Sequence, residues 1–177
     1  MQFDIDTLRS NPAEFLQFQK SASVRDLKKT LNKFGRLDDH DHRLALTELT
    51  LHEHADIRML AIKNLAKYAD EELKDVIMNI VRTDSSSLVR KEAVSAIGRM
   101  RSESCVEDLV TLLHDRDPLV VMQAIRGLLV FKKIDSVREE LIQIQNHPNE
   151  IIKEVIEIEL LSERKSSSKS HPDVDER

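Results

Sequence analysis

The chain has 177 residues and a formal net charge of −5; 33% of its residues are charged and 40% hydrophobic. With 3 Gly, 4 Pro and no Trp, it lacks the turn-formers that an all-β fold needs at every hairpin. The acidic balance disfavours a general grip on phosphate backbones, the lone cysteine, Cys105, excludes an internal disulfide and a Cys-rich zinc site, and no stretch nears the ~18 apolar residues of a membrane span.

The N-terminal MQFDIDTLRSNPAEF carries early acids and no long apolar run, unlike a signal peptide. A cytoplasmic location is therefore expected. Residues 1–23 read as an N-terminal cap, with a helix over 5–20 that carries Leu8, Phe15, Leu16 and Phe18 and has Asn11 and Pro12 near its start. Residues 24–54 read as a divergent repeat. Its VRDLKKTLNKFG begins like the later units, but Lys28 falls where alanine is expected, and Leu27, Leu31 and Phe34 offer a competing register. Two histidine clusters follow, Asp39–His42 and His52–His54. Their residue types suit a metal, but a helix of about nine residues between them sets them roughly 13 Å apart. Each is read as a polar loop, and neither a metal nor a cofactor is assigned.

From residue 55 the chain repeats. Ile57, Val89, Val120 and Ile152 recur at intervals of 32, 31 and 32 residues, a period typical of solenoids. Four residues on stand Ala61, Ala93, Ala124 and Ile156; seven on, Asn64, Ala96, Gly127 and Glu159; eight on, Leu65, Ile97, Leu128 and Leu160. These offsets share one helical face. A second series, Leu46, Met78, Leu109 and Leu141 with Leu49, Val81, Leu112 and Ile144, has the same spacing and precedes each leading aliphatic. Units are drawn at 55–85, 86–116 and 117–148, each a small-residue leading helix followed by a Leu-rich second helix, with a half-repeat at 149–161. The small residues let neighbouring leading helices approach closely. Arg58 and Arg90 sit at helix starts, where the dipole disfavours cations, so a ladder of Arg side chains is expected to reach loop carboxylates or carbonyls, with Asp84 and Asp115 in the equivalent loops. Residues 162–177 are polar and Ser/Lys-rich and read as a flexible tail or linker.

VRKEAVSAIG with LVTLLHDRD, and IRMLAIKNLA with VIMNIVRTD, resemble the HEAT-like repeat family, including its phycobilisome-lyase-type subgroup. VVMQAIRGLL is a weaker copy in which Val121 replaces the Arg. The resemblance covers roughly residues 40–161. It implies an all-α, right-handed α-solenoid of about four helical hairpins. The deoxyhypusine hydroxylases, similar in fold, hold iron through His-Glu pairs after the helix-start Arg. The matching positions here are Met59-Leu60, Lys91-Glu92, Met122-Gln123 and Glu154-Val155, so that chemistry is not expected. Cys105 aligns with the apolar Val137 and reads as a buried small residue.

The acids carry the functional expectation. Glu72, Glu103 and Asp135 recur at one repeat position, Asp108 and Glu140 at another, with Glu107 and Glu139 beside them. If the second helices line the concave face, these seven form a stripe that would draw a basic protein segment. The alternative is a solvated charged face. The favoured function is a noncatalytic protein-interaction scaffold or targeting module. The rival is an N-terminal recognition or regulatory domain of a larger enzyme, one version being a DNA-modifying enzyme such as a methyltransferase. Direct nucleic-acid binding is disfavoured, since acids outnumber Lys74, Arg82, Arg116 and Arg138 on these helices and no aromatics interleave.

Overall fold

The computed structural model describes residues 4–161 apart from 36, 38, 69 and 70; the expected linker, 162–177, lies outside the described residues. The described residues form no strand. They form helices α1 (Ile5–Ser10), α2 (Pro12–Ser21), α3 (Val24–Lys33), α4 (His40–Leu49), α5 (Ala55–Leu65), α6 (Lys74–Thr83), α7 (Ser87–Met100), α8 (Val106–Thr111), α9 (Pro118–Leu128), α10 (Asp135–Gln143) and α11 (Glu150–Ile156). Short 3-10 turns extend α6, α8, α9 and α10, and a π turn, Glu157–Leu161, follows α11. The fold is an all-α solenoid.

Local chemistry sets the helix starts. The side chains of Asn11, Ser23, Asp39, Asp117 and Asn149 each accept a first-turn backbone N–H, satisfying donors that have no partner within the helix. Pro12 and Pro118 occupy first-turn positions, where no amide bond is lost. The cap expected as one helix over 5–20 is two, because Asn11 ends α1 in an extended conformation and caps α2.

The two periodic series form one core. Ile57, Val89, Val120 and Ile152 are fully buried, as are the four residues at the next offset, and all eight positions of the second series are buried. In α3 the competing register prevails. Leu27, Leu31 and Phe34 are buried, and Lys28 turns outward to pair with Asp56 at the start of α5.

Successive leading helices α3, α5, α7 and α9 pack directly on one another, while α4, α6 and α8 touch each other little; toward the end of the array α9 meets α11, and α8 meets α10, only lightly. Small residues are the reason. A Cβ added at Gly98 would lie 3.0 Å from the Gly127 Cα, so the α7 and α9 backbones meet there. Asn64 takes the same contact position in α5 as a polar spacer. Its amide donates to the carbonyls of Leu31 and Leu60, both at 2.9 Å, and its oxygen accepts from Lys67 at 2.8 Å. The leading helices α3, α5, α7 and α9 therefore form the more closely packed layer, and the Leu-rich helices that carry the acids form the more open one.

The hairpins are also phased differently from the units drawn on the sequence. Each Leu-rich helix packs closely on the leading helix that follows it, as α4 on α5, α6 on α7 and α8 on α9. The boundaries at 55–85, 86–116 and 117–148 therefore cut through hairpins, and α11 pairs with the end of α10. A period sets the unit's length; which neighbours pack tightest sets where it begins.

The expected arginine ladder is present with one change of rung. Arg58 grips Asp84 through two bonds of 2.7 and 2.8 Å and donates to the carbonyls of His52 and Glu53. Arg90 donates to the Asp84 carbonyl at 3.0 Å and reaches Asp117, at 3.7 Å, rather than Asp115. Asp115 instead accepts the Asp117 backbone N–H at 2.8 Å, as Asp84 accepts that of Ser86. Val121, where a third Arg would stand, is buried among apolar neighbours.

Two predictions follow from this packing. Gly98→Ala gains about 1 kcal/mol of helix propensity but presses a methyl against backbone, and a net loss of about 1–2 kcal/mol is expected; Ala96→Leu should cost about 1–3 kcal/mol. A chemical-denaturation midpoint at or above that of the native chain would show that the helices are not in such contact. Asp84→Ala strands an Arg58 side chain that is only 14% exposed and should cost about 2–4 kcal/mol. Burial pushes the Asp84 carboxyl up, but Arg58, the Ser86 amide and Arg90 outweigh it and hold the group below its ordinary value. Its contribution is complete above the unfolded carboxylate value of about 3.9 and lost as pH falls through the lower folded one. Acid unfolding of the native chain should show this loss, and the Asp84→Ala chain should lack it.

Candidate interaction surface

The seven acids stand at the starts of Leu-rich helices or farther along them. Glu72 lies in the 3-10 turn Glu71–Leu73 and Glu103 in the turn Glu103–Cys105. Glu107 and Asp108 occupy the first turn of α8, and Asp135 opens α10, with Glu139 and Glu140 farther along it. Exposed amide donors and the helix dipole favour anions at a helix start, by about 0.3–1 kcal/mol each. That accounts for the recurrence of Glu72, Glu103 and Asp135 independently of any partner.

The structure divides the seven. Glu103, Glu107, Asp135 and Glu139 are exposed and make no ion pair among the described residues. Glu140 is half-buried, and Glu72 is exposed with Arg43 at 3.9 Å. Asp108 is half-buried and engaged by Lys74 at 3.1 Å and Arg82 at 3.6 Å. Lys74 also donates to the Ser104 carbonyl, and the Ser104 hydroxyl donates to Glu71 at 3.0 Å. This group ties the starts of α6 and α8 across the more open layer. The Asp108 contact holds the Lys74 ammonium above its usual range, and the Ser102 and Ser104 hydroxyls hold Glu71 below its own. Asp108 thus joins two hairpins.

One feature escaped the pattern of charges. Leu88, Leu119 and Ile151 stand one residue before the leading aliphatics Val89, Val120 and Ile152, at the starts of α7, α9 and α11. They are 51%, 48% and 63% exposed. Their 31- and 32-residue intervals are legible in the sequence, but periodicity alone does not show that this offset faces solvent. In the preceding unit Asp56 holds the position.

The histidines are structural in their contacts. His42 lies in the first turn of α4, not in a loop, and is buried. Its Nε2 donates to the Leu8 carbonyl at 2.9 Å, its Nδ1 is 3.2 Å from Asp39, and the rings of Phe15 and Phe34 pack beside it. It fastens the cap to α4. His52 and His54 stack at 5.5 Å, with the His54 N–H donating to His52 Nδ1. Among the described residues no group of three or more His, Cys, Asp and Glu side chains is placed to hold a metal.

Cys105 is buried, as is its repeat counterpart Val137, and burial pushes its thiol up from the ordinary value. A thiol-reactive disulfide reagent should therefore label Cys105 only after denaturation. Rapid labelling of the folded chain at neutral pH would contradict this packing.

No helix among the described residues is long and apolar enough to cross a membrane. The chain matches no curated protein. A family model described as HEAT repeats matches residues 14–97 and 75–160, so the chain belongs to the HEAT-repeat family, whose arrays generally serve as protein-interaction scaffolds.

Proposed function

We propose that the chain is a noncatalytic protein-interaction scaffold or targeting module of the cytoplasm. A partner protein lays an apolar surface on Leu88, Leu119 and Ile151 and presents a basic segment to the acid series Glu72, Glu103, Glu107, Asp108, Asp135, Glu139 and Glu140. The observation that carries this reading is the recurrence of three exposed aliphatics at one repeat position. Exposed aliphatics contribute nothing to solubility, and hydrophobic contact rewards them only when another apolar surface covers them. Within the acid series, Glu103, Glu107, Asp135 and Glu139 supply the charge selection, since each keeps its carboxylate in solvent. Asp108 contributes mainly by holding α8 to α6.

A preassembled solenoid loses little conformational freedom on binding, so most of the contact energy is available as affinity. The exposed acids act chiefly on encounter rate and partner choice, and the aliphatics on residence time.

The test is affinity capture with the native chain and two variants as bait. Glu103→Lys with Glu107→Lys should lose about 1–2 kcal/mol of stability through the helix dipole, remain folded, and retain much less of a basic partner. Leu119→Gln with Ile151→Gln should weaken capture without reducing stability. Capture of one basic protein that survives nuclease treatment and falls in both variants is the expected result. Equal capture by all three baits would remove this surface from the binding.

A further inference from the structure

The more closely packed layer of helices ends in cations. Lys63 lies in the last turn of α5 and Lys67 two residues beyond it. Arg99 lies in the last turn of α7, which packs directly on α5. Arg9, in the last turn of α1, sets its guanidinium 3.6 Å from the point where a Cβ would stand on Gly35, just past the end of α3. Because α3, α5 and α7 pack side by side, these four cations gather along one edge of the array.

Arg9 and Lys63 are exposed and form no ion pair among the described residues. Among the described residues Lys67 donates only to the neutral Asn64 amide, and burial, then the fields of Lys63, Arg9 and Arg99, hold its ammonium below its usual range. One carboxylate, Glu92, is shared with Arg99 at 2.9 Å.

A separate observation points to the same edge. Arg101 ends α7 with φ 52, the left-handed conformation that helix ends usually assign to glycine. It is exposed and makes no hydrogen bond among the described residues. A cation thus stands, open to solvent, at a position whose backbone disfavours any side chain.

We propose that Arg9, Lys63, Lys67, Arg99 and Arg101 form a second binding site, which takes an extended, carboxylate-rich peptide segment of a partner. Neighbouring helices lie about 8–10 Å apart, close to the roughly 9 Å of one three-residue turn of extended polyproline-II chain, which returns every third side chain to the same face. Carboxylates at such intervals meet successive helix ends, with the two-pronged geometry that arginine offers an oxyanion. Glu71, Glu72 and Glu103 open the adjoining helices beside this edge. A peptide can set neutral or basic residues against them, whereas a nucleic-acid strand brings a phosphate at every nucleotide and is repelled there. Its cations are distinct residues from the acid series, and the site stands whether or not that series binds.

The experiment is fluorescence anisotropy of a labelled peptide of about ten residues, with Glu at every third position, titrated with the native chain at low salt. Arg9→Glu with Lys63→Glu should weaken binding about tenfold or more. Arg25→Glu with Arg116→Glu makes the same change in net charge at the opposite edge and should alter binding less than about twofold. Glu103→Lys with Glu107→Lys should not weaken it, which separates this site from the one proposed above. Arg101→Gly relaxes the backbone; it should raise the melting temperature while weakening binding, a pairing that loss of structure cannot produce. Equal losses at both edges, or no loss at either, would overturn the proposal. So would tighter binding of single-stranded oligonucleotide or anionic vesicles through the same residues, which would assign the edge to another class of ligand.

Discussion

The contact between α7 and α9, where Gly98 and Gly127 bring two backbones together, sets the geometry on which the rest depends. Alanine and glycine at matched offsets let the leading helices close up, and the larger Leu-type side chains of the other layer hold their helices apart. Side-by-side packing of the leading helices gathers their C-termini, with their cations, along one edge and leaves the Leu-rich helices as the more open layer. Charge positions that look arbitrary along the chain become ordered once this spacing is imposed.

Polar groups do two different jobs within that frame. Some hold hairpins in register: Arg58 with Asp84, Lys74 with Asp108 and Ser104, Asn64 with the Leu31 carbonyl, and His42 with the Leu8 carbonyl. Each joins elements far apart in sequence and satisfies groups that burial would otherwise penalise. Others, including Glu103, Glu107, Lys63 and Arg101, are left to solvent. Only this second set is free to select a partner, and it contains both signs of charge.

Several parts of the site were legible in particular residues. The positions of Glu72, Glu103 and Asp135 recur with the repeat, and so does the equivalence of Cys105 with Val137. The engagement of Asp108 by Lys74 and Arg82 was not legible, because it spans two hairpins and depends on how far apart α6 and α8 stand. The exposure of Leu88, Leu119 and Ile151 was hidden for a related reason: a leading helix is covered by neighbours on several sides, so its solvent-facing offset is set by the stack. The cation cluster draws Arg9 from the cap and Arg99 from two repeats later. No local pattern links them.

The helical class, the 31- and 32-residue period, the core positions and most helix starts are legible in the chain, because offsets of four, seven and eight residues and capping side chains act within a turn or two of helix. Packing of the whole array settles which layer is tighter, where each hairpin begins, which loop acid Arg90 reaches, and which charges remain in solvent. These depend on helix-to-helix distance, and that distance is the joint result of side chains some 30 residues apart meeting across an interface.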